Sequence, residues 1–428
     1  MSHGCGSVAI TIATAYDTLG EEGLTHSLNE PESVGVFTNA ELLPSLLRVL
    51  PNTPTANIVV YDGEPEKSVL DNIRAVRDTI KIMSIDELRA AGRALPTDGL
   101  DARLPKKEDV ALIMYTSGST GSPKGVILKH SNLMASVGGV FTLVGHHLTA
   151  DDNFLAYLPL AHVLEFIVEL IFIYVGLPIG YGRVKTLTDA SVRNCKGDIS
   201  ALRPSIMVGV PAVWETIRKG ILAKVHAGGS IKKAVFNGAY TAKKNNVPVL
   251  SRLADSVVFS GVKAATGGRL RITLSGGAAL SRETQDFLST ALVTVLQGQF
   301  ASIVNKQTYL TDHTFLGYGM TESCGMCAIL PPELKQNGVV GLPVPSVEIK
   351  LLDVPDAGYL VSNQQGEVCI RGPSVTTGYY KRPDLNSDET VFTKDGWLRT
   401  GDVGQWNSDG TLSLIDRYVK KHLAILKI

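Results

Sequence analysis

The stretch "YTSGSTGSPKGVIL" (115–128) decides how the rest of the chain is read. Five Ser or Thr hydroxyls, three glycines and Lys124 fall within the ten residues 116–125. An apolar run, "VALIMYT" (110–116), precedes them, and its β-branched and aromatic content reads as a strand. Glycines let backbone approach a phosphate and expose N–H groups to it. Hydroxyls add donors, and a lysine adds a mobile point charge. The loop is therefore read as an anion cradle. It is not a Walker A loop, because Lys124 is followed by Gly125 rather than by Ser or Thr.

Outward from that loop the chain keeps an α/β rhythm. "VAITIATAY" (8–16) and "ANIVVYDG" (56–63) read as strands, while "TNAELLPSLLRVL" (38–50) and "EKSVLDNIRAVRDTIKIM" (66–83) carry helical spacing. A polar, Pro-containing link, 95–110, enters the strand before the loop, and 131–145 reads as a helix after it. Further on, 203–221 reads as a buried strand followed by a helix opening near Pro211, and 270–292 as strand, glycine turn and helix. From about Gly341 short strands separated by Gly, Pro, Asn and Asp indicate a smaller β-rich lobe. Alternation of this kind predicts layers around a largely parallel sheet.

The 428 residues carry 41 Lys+Arg against 41 Asp+Glu, so no global charge draws the chain to nucleic acid. Five cysteines are an odd, sparse set that fits a reducing compartment. Cys324 and Cys327 form a C-x-x-C pair, read as small buried residues rather than a zinc site. The N-terminal twenty residues lack the charged start of a signal peptide. The most apolar segment, 163–181, is interrupted by Glu165 and Glu169 and closed by Pro178. It reads as a buried helix or the wall of an apolar tunnel, with a monotopic membrane contact as the alternative, and no transmembrane helix is expected.

The loop 115–126 resembles the signature of the adenylate-forming, or AMP-binding, superfamily. Further matches follow in that family's order: "LPLAH" (158–162), "SGGAAL" (275–280), "YGMTES" (318–323), "GEVCIRGPSVTTGYY" (366–380) and "GWLRTGDVG" (396–404). Segments 16–32, 184–199, 203–221 and 395–417 are most similar to long-chain fatty acyl-CoA synthetases of the fungal type. The resemblance implies an α/β fold with mostly parallel sheets flanked by helices, plus the β-rich lobe. It implies ATP-dependent activation of a long-chain fatty acid to acyl-AMP, then thioester formation with coenzyme A, assisted by Mg²⁺. By the same resemblance Thr116, Ser117, Gly118, Ser119, Thr120, Gly121 and Lys124 hold the pyrophosphate half of ATP. Glu322 binds Mg²⁺, Thr321 donates to the α-phosphate, and Gly277 and Ala278 pack near adenine with Tyr318 stacked on it. Asp402 accepts the ribose hydroxyls and Arg417 contacts ribose or phosphate. His162 either orients the carboxylate or is a core histidine. Trp214 and Trp397 are tunnel-gate candidates that are more often core residues.

Three departures from the family pattern are expected to matter. The N-terminal lobe starts late. Nineteen residues, 299–317, stand between a core strand and Tyr318. After Arg417 the residues 418–428 replace the hinge and a C-terminal domain of ~100 residues that carries the family's catalytic lysine. The organisation expected is thus an AMP-binding core over 1–340, a β-rich lobe over 341–417 and an aberrant tail. Translated introns would account for the last two features, and a divergent, real paralogue is the competing reading. The function expected is an intracellular fatty acid–CoA ligase, cytoplasmic or peripheral on endoplasmic reticulum, lipid droplet or peroxisome membranes, impaired in the chain as written. The alternatives are a non-catalytic binder of ATP or fatty acid, and an adenylating enzyme for another carboxylic acid.

Overall fold

The computed structural model describes residues 1–16, 19–116, 123–245, 247–276, 281–292, 313–331, 333–334 and 338–417. Two compact units emerge, Met1–Ala135 with Pro373–Gly396, and Ser136–Gly372 with Trp397–Ile428. The division does not fall at the 340/341 boundary expected from composition: 373–396 packs with the first unit, although it lies in sequence between two strands of the β-rich lobe.

The first unit holds β1 (Ile12–Thr14), β2 (Gly35–Asn39), β3 (Ile58–Asp62), β4 (Lys81–Ser84), β5 (Val110–Thr116) and β6 (Lys124–Lys129). Strands β2-β3-β4 form a parallel sheet; in β1-β5-β6 the first pair is parallel and the second antiparallel. Leu43, Leu46, Val49, Leu50, Val59 and Ile73 make its core. Two expectations are corrected here. The helix expected over 66–83 stops at Val76, and Lys81–Ser84 is a strand. The reason is Arg77, which turns extended and donates to the carbonyls of Leu50, Thr53 and Ala56 at 2.7, 3.0 and 2.9 Å. Thr38 and Asn39, expected to open a helix, instead end β2; the helix is Leu43–Val49, with Pro44 in its first turn.

The second unit holds β7 (Phe154–Ala156), β8 (Ile179–Tyr181), β9 (Ile206–Gly209), β10 (Ile272–Ser275), β11 (His313–Met320), β12 (Gly325–Leu330) and β13 (Leu342–Pro343) in one sheet, ordered β13-β12-β11-β10-β9-β7-β8. Pairings from β8 to β11 are parallel, and β12 and β13 add an antiparallel edge. Strands β14 (Glu348–Leu352), β15 (Gln365–Arg371), β16 (Leu398–Trp406) and β17 (Leu412–Arg417) form a separate antiparallel sheet. Residues 313–317, counted above with the intervening stretch, lie in β11, where 313–316 pair with β10. Ladder bonds are made by backbone, so a segment of β-branched and aromatic residues can fill that place.

The Pro211–Ala227 helix begins with its proline as expected, and Trp214 is fully buried in a core with Met207, Phe259, Leu288 and Leu292. The Val163–Val175 helix is apolar on nearly every side. It ends because Gly176 adopts φ 76°, and Gly176 and Leu177 N–H return to Phe172 O. Thirteen residues span only about 20 Å, short of a bilayer's hydrocarbon core of about 30 Å. No helix among the described residues is long and apolar enough to cross a membrane.

Candidate active site

In the first unit the phosphate-loop candidate is framed by a hairpin. Thr116 and Lys124 are direct Cα partners at the mouth of β5 and β6. Ser117, Gly118, Ser119, Thr120 and Gly121 lie outside the described residues. The frame explains how so polar a loop is anchored. Met114, Tyr115, Val126 and Leu128 are buried. The Tyr115 hydroxyl donates to Glu30 at 2.6 Å, and burial together with that carboxylate pushes the phenol's pKa far up. Gly125 cannot carry a side chain, since a Cβ would stand 2.7 Å from Ile113 Cγ2. The segment after β15 backs β6: Thr376 Oγ1 donates to Ile127 O at 2.6 Å, and Tyr380 N–H to Gly125 O at 2.7 Å. Lys124 Nζ lies 5.6 Å from the Tyr379 ring centroid. Tyr379 was not singled out from sequence, though "TTGYY" marked its segment.

In the second unit Tyr318, Asp402 and Arg417 come together. Tyr318 ends up buried on β11, and its hydroxyl donates to Asp402 Oδ2 at 2.8 Å. Burial above all keeps that phenol protonated. Register in the other sheet sets Asp402 opposite Arg417, whose Nε is 3.7 Å from Asp402 Oδ1 while the side chain stays 77% exposed. The approach to Asp402 is fixed by its neighbours. Arg399 pairs with buried Glu367, Thr400 Oγ1 donates to Val368 O at 2.8 Å, and Asp402 N–H donates back to Thr400 Oγ1 at 3.1 Å.

Thr321 and Glu322 sit on the short turn between β11 and β12. Ser323 Oγ accepts from Met320 N–H at 3.1 Å and lies 2.8 Å from Gly325 O, so the turn is tied at both ends. Gly319 is obligatory, because its Cβ would fall 1.8 Å from Gly325 O. Glu322 is nearly buried. Cys324 and Cys327 are buried free thiols; burial pushes Cys327 up to about 12 and Cys324 higher still, which fits the core reading rather than a reactive pair. Gly277 and Ala278 lie outside the described residues.

His162 caps the Val163–Val175 helix, with Nδ1 accepting Leu164 N–H at 3.2 Å. Burial lowers its pKa, so it is neutral at pH 7 with the proton on Nε2. Beyond it, Leu164, Ile167, Val168, Ile171 and Phe172 line an apolar cleft enclosing about 670 Å³, part of it open to solvent, with Val140, Val208 and Met326 among the other walls. Trp214 and Trp397 are absent from that lining and are core residues; Trp397 lies between Lys350 and Arg371, each 4.5 Å from its ring. The same helix carries Glu165, 1% exposed, with no hydrogen bond of good geometry to either carboxyl oxygen. Burial and then the Glu169 charge push it up to about 8, against weaker help from the Leu158 and Tyr157 backbone. From sequence alone Glu165 is only an interruption of the apolar run.

The sequence pattern of the AMP-binding enzymes matches residues 1–380, and the chain belongs to that family. It is 44% identical over 425 residues to long-chain-fatty-acid–CoA ligase 2 of Schizosaccharomyces pombe, covering 97% of this chain and 58% of that protein. With ligase 4 of Saccharomyces cerevisiae it shares 40% over 435 residues, covering 98% and 59%. The chain thus spans under two thirds of the length of these relatives. Among solved structures, the adenylation domain of a Mycobacterium chelonae carboxylate reductase superposes with TM-score 0.71 at 25% identity, covering 95% of this chain and 57% of that one. The N-terminal domain of FACL13 from Mycobacterium tuberculosis gives 0.63 at 20%, covering 97% and 82%. The α/β fold expected from the sequence is the one observed.

Proposed function

We propose that this chain is the nucleotide- and acyl-binding part of a long-chain fatty acid–CoA ligase. The observation that carries the reading is the apolar cleft of the second unit, in a family of carboxylate-activating folds and beside relatives named for long-chain fatty acids. A hydrocarbon chain needs a dry, apolar groove, whereas a polar acid would need buried polar groups to meet it. That favours the fatty acid over other carboxylic acids.

In this reading a carboxylate oxygen of the fatty acid attacks the α-phosphorus of ATP. The bond to the α–β bridging oxygen breaks and pyrophosphate leaves. The thiolate of CoA then attacks the acyl carbon, forming the thioester and releasing AMP. Both reactants of the first step are anions, so the protein's contribution is positioning and charge neutralisation. Thr116, Lys124 and the loop between them hold the β- and γ-phosphates. Thr321 donates to the α-phosphate, Asp402 takes the ribose hydroxyls, and Arg417, exposed and adjacent, reaches ribose or phosphate. Tyr318 packs against adenine through its ring face while its hydroxyl orients Asp402. His162, neutral, keeps its Nε2–H for the incoming carboxylate. Glu322 suits Mg²⁺: it is a hard carboxylate donor held on a tied turn, and Mg²⁺ takes one or two carboxylates together with phosphate oxygens. When bound, the ion neutralises charge on the departing pyrophosphate.

The fatty acid is drawn from a membrane surface. Ile173 and Tyr174, at the end of the apolar helix, and Tyr181 and Val184 after it are all at least half exposed, apolar side chains suited to peripheral contact on an intracellular membrane. The test is pyrophosphate exchange into ATP with palmitate, a short aromatic acid or no acid. Exchange dependent on palmitate supports the proposal. Exchange with only the aromatic acid, or failure of the chain to bind nucleotide and palmitate, refutes it.

A further inference from the structure

Two histidines and a carboxylate converge at the rim of the apolar cleft, apart from every residue assigned above. His146 and His147 form the turn Gly145–His147 after the His130–Val144 helix, flanked by the cleft residues Val144 and Leu148. Glu333 lies just beyond β12, which lines the cleft with Met326 and Ile329. Nε2 of His146 is 3.2 Å and Nε2 of His147 3.0 Å from the same Glu333 oxygen. One donor atom from each residue falls within 4.8 Å of the others. Around a tetrahedral ion with bonds of about 2.0–2.1 Å, donors stand roughly 3.3 Å apart. The two His–Glu separations are therefore already close to those of a coordination shell.

We propose that His146, His147 and Glu333 form a binding site for a zinc-class divalent transition-metal ion. Two imidazoles and one carboxylate suit Zn²⁺, Co²⁺ or Ni²⁺, and the imidazoles disfavour Mg²⁺. The turn that carries the histidines is braced. Arg271 Nη2 donates to His147 O at 2.7 Å, and Arg271 is itself paired with Asp152. Asp152 also accepts from Thr149 N–H at 2.8 Å and Ser205 Oγ at 2.7 Å. Its side chain is 1% exposed and that of Arg271 11%, so the brace is buried while His146 and Glu333 remain open to solvent at 60% and 56%. A rigid turn lowers the ordering cost of ligation, and open ligands let the ion enter. Three protein donors leave one position for water. A bound ion would tie the turn after the His130–Val144 helix to the segment after β12, stiffening two walls of the cleft. The site stands independently of the ligase reading.

The test uses the whole chain, freed of any affinity tag and of metal by chelator, without nucleotide. Zn²⁺ is titrated by calorimetry and Co²⁺ by its visible d–d absorption. One equivalent is expected to bind with a dissociation constant on the order of a micromolar or tighter. His146→Ala, His147→Ala and Glu333→Gln should each weaken it by at least about tenfold, since each removes or neutralises a ligand. His146 and Glu333 are exposed, so thermal melts of those two variants should match the parent and exclude misfolding as the cause. No saturable binding, or binding left intact in these two variants, overturns the proposal.

Discussion

The hairpin in the first unit and the Val163–Val175 helix in the second place charge in opposite ways. Lys124 leaves a buried, hydrogen-bonded frame, with the Tyr379 ring as its neighbour at 5.6 Å. Glu165, by contrast, is enclosed by apolar residues on its own helix, and burial shifts it toward the neutral acid. The comparison teaches that an ionisable side chain in a strongly apolar run is not by itself a charge. Solvent access decides whether it is one.

The largest expected effect tests the first half of that contrast. With the family's lysine-bearing C-terminal domain supplied, Lys124→Ala should lower kcat/KM for palmitate-dependent pyrophosphate exchange by roughly 10²–10³-fold, the usual cost of losing one charge-stabilising group. Glu322→Ala should do the same. Near-parental exchange in either variant would remove that residue from the mechanism.

The second half is tested by pH. Because the folded pKa of Glu165 is raised, the folded chain binds a proton more tightly than the unfolded one. Its contribution is fully present below the ordinary Glu value and is lost as pH rises through about 8. Glu165→Gln should therefore be nearly neutral at pH 5 and stabilising by roughly 1–3 kcal/mol at pH 9 in urea unfolding. An equal effect at both pH values would show that Glu165 does not change its protonation between them.

Frames should matter less than charges. Tyr115→Phe strips the hydroxyl that Glu30 accepts and should cost about 1–2 kcal/mol of stability, with exchange kinetics little changed. Smallest in stability is Tyr318→Phe, at about 1 kcal/mol; it frees Asp402 to turn and should raise the KM for ATP more than it lowers kcat. A fall in kcat alone would argue that Asp402 is oriented by other groups.

Much of this was readable in one dimension. The strand 110–116, the proline opening the Pro211–Ala227 helix and the short strands after Gly341 all follow from local chemistry: β-branching and proline's fixed φ. Buried Cys324, Cys327 and Trp214 follow from residue type. Other features were not readable. The stop at Arg77 depends on three carbonyls more than twenty residues away. The return of 373–396 to the first unit depends on Thr376 and Tyr380 bonding to β6 across some 250 positions. Tyr318 meets Asp402 only because β11 and β16 belong to sheets brought together in three dimensions.

The sequence by itself therefore determined the chemistry on offer: which segments can be strands, which loop can take an anion, which residues can carry charge. Tertiary structure decided which of those groups remain charged, which satisfy one another, and which gather around a cleft. The physical reason is one of range. Propensity and turn chemistry act over a few residues, while burial and hydrogen-bond partnership are set by chain segments that meet only in the folded molecule.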